Sequence, residues 1–235
     1  MKIAIMQPYI FPYIGYFQMI SAVDKFVFYD DVNFIKQGWI NRNRILVSGQ
    51  GHLFTVPLSK ANSFSLIKDT LISENLYESW KMKFLQTLSQ SYKRAPYFKP
   101  VYNLISEILN GPSKSISELA IESILAVSQY MNLKTQFIIS SQSYQNRHLE
   151  RQERLFDICK QENSFHYINA SGGQELYKKE DFLVQGIHLD FIKSLPLEYK
   201  QFTDPFVPHL SIIDLLMFNN RDEVNGLLTQ YEFIN

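Results

Sequence analysis

The first 31 residues constrain the fold more than any other stretch of the chain. Lys2 to Met6 is an apolar run stopped at once by Gln7-Pro8. Proline cannot donate to a sheet ladder, so the run reads as a buried strand that feeds a loop. From Gly15 the apolar residues Tyr16, Phe17, Met19, Ile20 and Val23 recur at helical spacing, and Lys25 to Tyr29 (KFVFY) then reads as a second strand ending at Asp30-Asp31. Strand, loop, helix and strand within about thirty residues is the size of a βαβ unit.

The same alternation returns later. Arg44 to Val47 and His52 to Leu58 are strand candidates separated by Ser48-Gly49-Gln50-Gly51, which reads as a hairpin turn. Tyr77 to Leu109 is helical with a break near Pro96 and Pro100. A second helix runs from Ser115 to Met131, opened by a capping box of Ser115 and Glu118. Thr135 to Ser140 is a strand, His148 to Gln161 a helix, Phe165 to Asn169 a strand, Gln174 to Gln185 a helix and Ile187 to Ile192 a strand. A last helix runs from Ser211, whose hydroxyl is placed to cap the Asp214 amide, to about Leu228. The pattern implies one α/β domain over residues 1–235, a Rossmann-like, mostly parallel sheet flanked by helices, with a β-hairpin and a mainly helical insertion at about 77–131.

Composition excludes several classes. A chain of 235 residues buries enough surface to fold without disulfides, and its single cysteine, Cys159, permits none within the chain. Cys159 shares an apolar helix face with Leu155, Phe156 and Ile158 and reads as core. Lys and Arg total 23, as do Asp and Glu, so the zero formal net charge lacks the positive field of a general nucleic-acid binder. Aromatic residues at 14% argue against disorder. There is no signal peptide pattern and no run of eighteen apolar residues, so the reading is a soluble, cytoplasmic protein without membrane insertion.

Chemistry concentrates in three segments. The loop Gln7 to Tyr16 (QPYIFPYIGY) follows the carboxyl end of the first strand, where open parallel sheets bind ligands, and a helix starting near Gly15 offers free amides to an anion. Its candidates for contact are Gln7, Tyr9, Gly15 and Tyr16. Asp30 and Asp31 end the second strand on the same sheet edge, where carboxylates orient hydroxyls or take a proton. Trp39-Ile40-Asn41-Arg42-Asn43-Arg44 places two guanidinium groups and two carboxamides beside an indole; in an extended strand Arg42 and Arg44 share one face and Asn41 and Asn43 the other. Paired arginines suit phosphate or carboxylate. These three segments are expected to converge on one pocket.

Other features carry less. His209, Ser211 and Asp214 lie too close on one helix start to aim at one another as a triad, which leaves His209 as a single acid or base. The remaining histidines show no metal-ligand spacing, so no metal site is expected. Ser171-Gly172-Gly173 after a strand allows close backbone approach but is a common turn. Neither GxxxxGK[ST] nor GxGxxG occurs.

MQPYIFPYIGYFQMI, followed by DKFVFYDDVNFIKQGWINRNRI, resembles the opening of the WbqC-like protein family, and TVPL (Thr55 to Leu58), HYINASGGQELY (His166 to Tyr177) and HLSIIDLLMFN (His209 to Asn219) are similar to its later blocks. Gln7, Pro8, Pro12, Gly15, Tyr16, Asp31, Trp39, Asn41, Arg42, Asn43 and Arg44 are the matching positions. The resemblance implies a role tied to bacterial surface-polysaccharide gene clusters, such as O-antigen-type lipopolysaccharide. The opening also resembles nucleotidylyltransferase-type Rossmann domains, but Tyr16 stands where their histidine follows the glycine, which argues against nucleotidyl transfer.

These readings lead to a transferase that acylates or aminoacylates an amino sugar or similar activated metabolite. Its catalytic candidates are Asp30, Asp31 and His209. Its substrate candidates are Gln7, Tyr9, Gly15, Tyr16, Trp39, Asn41, Arg42, Asn43 and Arg44. The partner is a small molecule such as a nucleotide-linked sugar or an acyl donor, and no cofactor is indicated. The alternative is a non-catalytic ligand-binding or assembly protein of the same pathway.

Overall fold

A computed structural model describes residues 1–62 and 64–234. Its opening is the βαβ unit: β1 (Lys2–Met6), α1 (Ile14–Ser21) and β2 (Lys25–Phe28). β1 and β2 pair in parallel from Ile3 opposite Lys25 to Met6 opposite Phe28. The hairpin β3 (Arg42–Val47) and β4 (Gln50–Thr55) follows as a separate two-stranded sheet. Gly49 takes the turn's left-handed position at φ +79°, which costs glycine nothing. Three helices come next, α2 (Glu74–Tyr92), α3 (Phe98–Leu109) and α4 (Ile116–Tyr130). Pro96 falls in the break between α2 and α3, whereas Pro100 sits in the first turn of α3, where a missing N–H removes no helical bond. Ser115 and Glu118 form the capping box of α4.

The second half supplies β5 (Gln136–Ile138), α5 (Arg151–Gln161), β6 (His166–Ala170), α6 (Lys179–Val184), β7 (His188–Ser194), α7 (Ile212–Phe218), α8 (Arg221–Leu228) and β8 (Tyr231–Ile234). Six strands form one sheet in the order β5-β2-β1-β6-β7-β8, parallel throughout except for β8. The fold is thus mixed α/β, a mostly parallel sheet flanked by helices with a separate hairpin. The order reverses direction at β1, so the switch point where such sheets bind ligands lies outside the carboxyl ends of β1 and β6.

Side chains alternate across the sheet. Ala4, Phe26, Phe28 and Ile168 enter the larger core with α1, α3, α4 and α7, while Ile3, Ile5, Val27 and Tyr167 enter a second core with α5 and α6. Burial on both faces explains why these strands read as continuous apolar runs.

Several details differ from the sequence reading, among them the Gln174 to Gln185 helix, of which α6 covers only Lys179–Val184 after a short 3-10 turn at Ser171–Glu175. The last helix is two helices, because Asn219 is extended (φ −124°, ψ 142°) and Asn220 opens α8 with its own capping box to Glu223. The Ser211 hydroxyl accepts from the Ile213 amide and not from Asp214. β8 has no counterpart in the sequence reading: none of its residues is fully buried, and its place is set by pairing with β7, from Phe191 opposite Ile234 to Ser194 opposite Tyr231. Among the described residues, no helix is long and apolar enough to cross a membrane.

Candidate functional site

Asp30 and Asp31 lie just past the end of β2, separated from it by Tyr29, and extended alternation sends their carboxylates to opposite faces of the sheet. Asp30 turns toward α4. Its Oδ1 accepts from the Ser140 hydroxyl at 2.7 Å and the Ser141 amide at 3.2 Å, and its Oδ2 from the Ser117 hydroxyl at 3.3 Å. These three donors hold the carboxylate by both of its oxygens. Burial raises the Asp30 carboxyl above the ordinary aspartate range, against the pull of the Ser140 and Ser117 hydroxyls.

That carboxyl lies in the wall of a groove of about 1340 Å³ running along α4. Ser115, Ser117 and Ser140 line it beside Asp30, with Lys68, Lys114 and Arg221 as cations and Asp69, Glu107, Glu118 and Glu122 as further acids. The Arg221 guanidinium stacks 4.4 Å from the Tyr130 ring. Lys68 is paired with Asp69, while neither Lys114 nor Arg221 has a carboxylate partner among the described residues. The arrangement suits a polar, partly anionic molecule laid along the helix, with one activated carboxyl at its end.

Asp31 turns the other way, into a dry network. Arg154 of α5 donates from Nη2 to both of its oxygens, at 2.7 and 2.9 Å, and the Ser141 hydroxyl donates to Oδ1. Arg154 Nε donates to Asn146 Oδ1 at 3.1 Å, and the guanidinium sits 4.8 Å from the Tyr29 ring. Held by an arginine on both oxygens and by the Ser141 hydroxyl, and absent from the groove lining, Asp31 is an anchor between β2 and α5.

The other two segments meet each other and not Asp30. The Ile10 amide donates to Ile40 O, and the Asn43 carboxamide donates to Ile10 O at 3.3 Å and Phe11 O at 2.8 Å. Asn41 Nδ2 donates to Val56 O at 3.0 Å. Both carboxamides therefore hold backbone in place. Arg42 donates to the Gly38 carbonyl at 3.0 Å and to Gln37 O, with its guanidinium 5.9 Å from the half-exposed Trp39 ring. Arg44 lies against Gly51, where a Cβ would stand 2.6 Å from its Nη2, and its buried Nε has no partner.

Within the first loop the Tyr16 hydroxyl donates to Gln7 O at 2.9 Å, and Tyr9 packs 5.7 Å from the Tyr16 ring. Burial pushes both phenols up, so they act as neutral hydrogen-bonding groups. Gly15 is required by crowding: a Cβ there would stand 2.4 Å from the Tyr13 ring and 2.6 Å from Ser194 Oγ. His209 is exposed, in a left-handed conformation (φ +57°), and is not in the groove lining.

The WbqC-like protein family matches residues 7–226. The chain belongs to that family. A relative in Mycobacterium tuberculosis (strain ATCC 25618 / H37Rv), the uncharacterized protein Rv1507c, is 29% identical over 218 residues, 92% of each chain. No solved structure matches.

In this WbqC-like protein three positions escaped the sequence reading. Arg154 sits in RQERLF, where it looks like any helix-surface charge, yet its side chain is 6% exposed. Asn169 is the penultimate residue of β6, at the switch point. Its Oδ1 accepts from the Ala170 amide at 2.8 Å, and its Nδ2 has no acceptor among the described residues. Asp214 is fully buried and accepts from the Tyr92 hydroxyl at 2.8 Å, the Tyr199 hydroxyl at 2.7 Å and Gln201 Nε2 at 2.8 Å. Tyr92 also accepts from the Leu46 amide at 2.7 Å, so this network fastens α7 and α2 to the hairpin. The strand ending before Ser171-Gly172-Gly173 was the signal for Asn169. Arg154 had none, and Asp214 stood out only as a member of a triad too close in sequence to work.

Proposed function

We propose that this WbqC-like protein is a transferase of bacterial surface-polysaccharide precursor synthesis, acylating or aminoacylating an amino sugar or similar activated metabolite in the α4 groove. One observation carries the reading: the Asp30 carboxyl, raised by burial and held by Ser140, Ser141 and Ser117, lines a groove that also holds Lys114 and Arg221. A carboxyl oriented in this way accepts the proton of an attacking amine as the new C–N bond forms and the bond from the acyl carbon to its leaving group breaks. Lys114 and Arg221 attract the phosphates of a nucleotide-linked substrate. In this reading Asp31 and Arg154 fix the end of β2 from behind, and Gln7, Tyr9 and Tyr16 serve the switch-point side. His209 and the Trp39 to Arg44 segment are left outside the reacting groups.

Thermal unfolding of the purified chain with nucleotide-linked amino sugars and acyl thioesters identifies the ligand, since one present at a hundred times its dissociation constant adds about 2.7 kcal/mol of stability. Turnover of the ligand pair that shifts the transition is then compared in wild type and Asp30→Asn. Loss of turnover with retained binding supports the reading; equal turnover moves the chemistry elsewhere. Binding without any turnover in wild type favours a non-catalytic role.

A further inference from the structure

β6 and β7 pair in parallel with His166 directly opposite His188 and Ile168 opposite Asp190. Both histidines open their strands, so they lie at the amino edge of the sheet, the edge away from Asp30. Residues two apart share a face, which brings His166, His188 and Asp190 together on one side. His166 Nε2 is 2.7 Å from Asp190 Oδ2 and His188 Nδ1 is 3.4 Å from the same oxygen. The three ligand atoms all lie within 4.8 Å of one another. The two imidazole rings meet edge to face at 4.8 Å.

The geometry points to a site for a first-row divalent cation of the zinc type, held by His166 Nε2, His188 Nδ1 and Asp190 Oδ2. Two imidazoles and one carboxylate are a donor set that such ions take, with water in the remaining position. Bonds of about 2.0–2.1 Å in tetrahedral geometry put neighbouring ligand atoms roughly 3.3 Å apart. The His188 to Asp190 separation has that length already, the His166 to Asp190 hydrogen bond opens by about half an ångström as the cation replaces its proton, and the two histidine nitrogens, within 4.8 Å of each other, close by up to about 1.5 Å through rotation of the exposed His188 ring. His188 is largely exposed, which gives the ion a path in and leaves the water position open. Lys179 Nζ stands 3.5 Å from the other oxygen, Oδ1, so it aims the carboxylate from outside the ligand set. His188 and Asp190 are two positions apart, but His166 lies 22 and 24 positions before them and only the β6–β7 register brings it in. Its place at the amino edge makes it independent of the proposed transferase chemistry. A bound ion would clip β6 to β7.

The test uses the full chain without a polyhistidine tag, stripped with chelator and titrated with ZnCl2 by calorimetry, with Co²⁺ absorption as a second readout. One Zn²⁺ per chain is expected. His188→Ala and Asp190→Asn should each weaken it by at least about tenfold and remove the Co²⁺ visible band, while His52→Ala, on the exposed hairpin, changes neither. His188 is exposed enough that its replacement leaves the fold intact, which far-ultraviolet circular dichroism checks, so that variant decides even if a His166 variant fails to fold. Absence of saturable one-to-one binding in wild type, or equal affinity of His188→Ala and wild type, overturns the site.

Discussion

Arg154 Nη2 bridges both carboxylate oxygens of Asp31, at 2.7 and 2.9 Å, across 123 residues of sequence and with both side chains almost dry. The pair joins the end of β2 to α5, and removing one member strands the other charge in the interior. Arg154→Met is therefore expected to cost about 3–5 kcal/mol in urea unfolding. Pairing it with Asp31→Leu, which removes the uncompensated carboxylate, should recover part of that loss. A single-variant cost under about 1 kcal/mol would show that the pair is as weak as a surface bridge.

Asp30 makes the contrasting case. Under the transferase reading only its ionised form accepts a proton, and burial raises its carboxyl above the ordinary range. The rate at low substrate concentration should climb with pH through that raised value and level off above it. Asp30→Asn should abolish this rising limb. A wild-type profile already flat at the ordinary aspartate pKa and above it would remove Asp30 from proton transfer.

Gly172 and Gly173 are neighbours with opposite demands. A Cβ on Gly172 meets nothing within 4 Å, whereas one on Gly173 would stand 2.5 Å from Asn169 Nδ2 and 3.3 Å from the ring of Phe191, itself 2% exposed. Gly173→Ala should destabilise by about 1–3 kcal/mol and Gly172→Ala by less than about 0.5 kcal/mol. Thermal or urea unfolding of the two variants checks the difference.

Local periodicity made the sheet legible. MKIAIM and KFVFY are apolar on both faces because helices cover both, and Pro8 and the Asp30-Asp31 pair mark their ends. The same logic located the Ser115 capping box and the Gly49 turn. What periodicity cannot carry is pairing between distant strands and helices. Asp30 and Asp31 read as one acidic pair, yet the strand's alternation separates them into a groove wall and a buried ion pair whose cation comes from α5. Asn41 and Asn43 read as ligand groups, and they are occupied by backbone carbonyls of β3's surroundings and of the first loop. The histidines looked scattered because the β6–β7 register is not written in either strand alone. β8 was missed for a similar reason: YEFI is too short to stand out, and its place comes from the partner β7.

Asp214 offers a test in which two effects on one carboxyl have opposite signs. Burial disfavours the charged form and raises its pKa, while the hydrogen bonds donated by Tyr199, Tyr92 and Gln201 pull it down; burial wins and the net direction is upward. With the folded value raised, the native state keeps its proton at pH values where the unfolded chain has already lost it. The Asp214 contribution to stability must then fall as pH rises from the ordinary aspartate range, about 3.9, through the raised value, and stay flat beyond, with a slope of at most about 1.36 kcal/mol per pH unit. Asp30 is raised as well and titrates in the same direction, so wild type alone does not isolate Asp214. Asp214→Asn does, because Asp30 is common to both chains and cancels in the difference. Wild-type stability minus Asp214→Asn stability, from urea unfolding at successive pH values, should be greatest at the acid end and decline across that window. A difference that grows with pH would mean that the three donors outweigh burial and that Asp214 is an ionised anchor of α7.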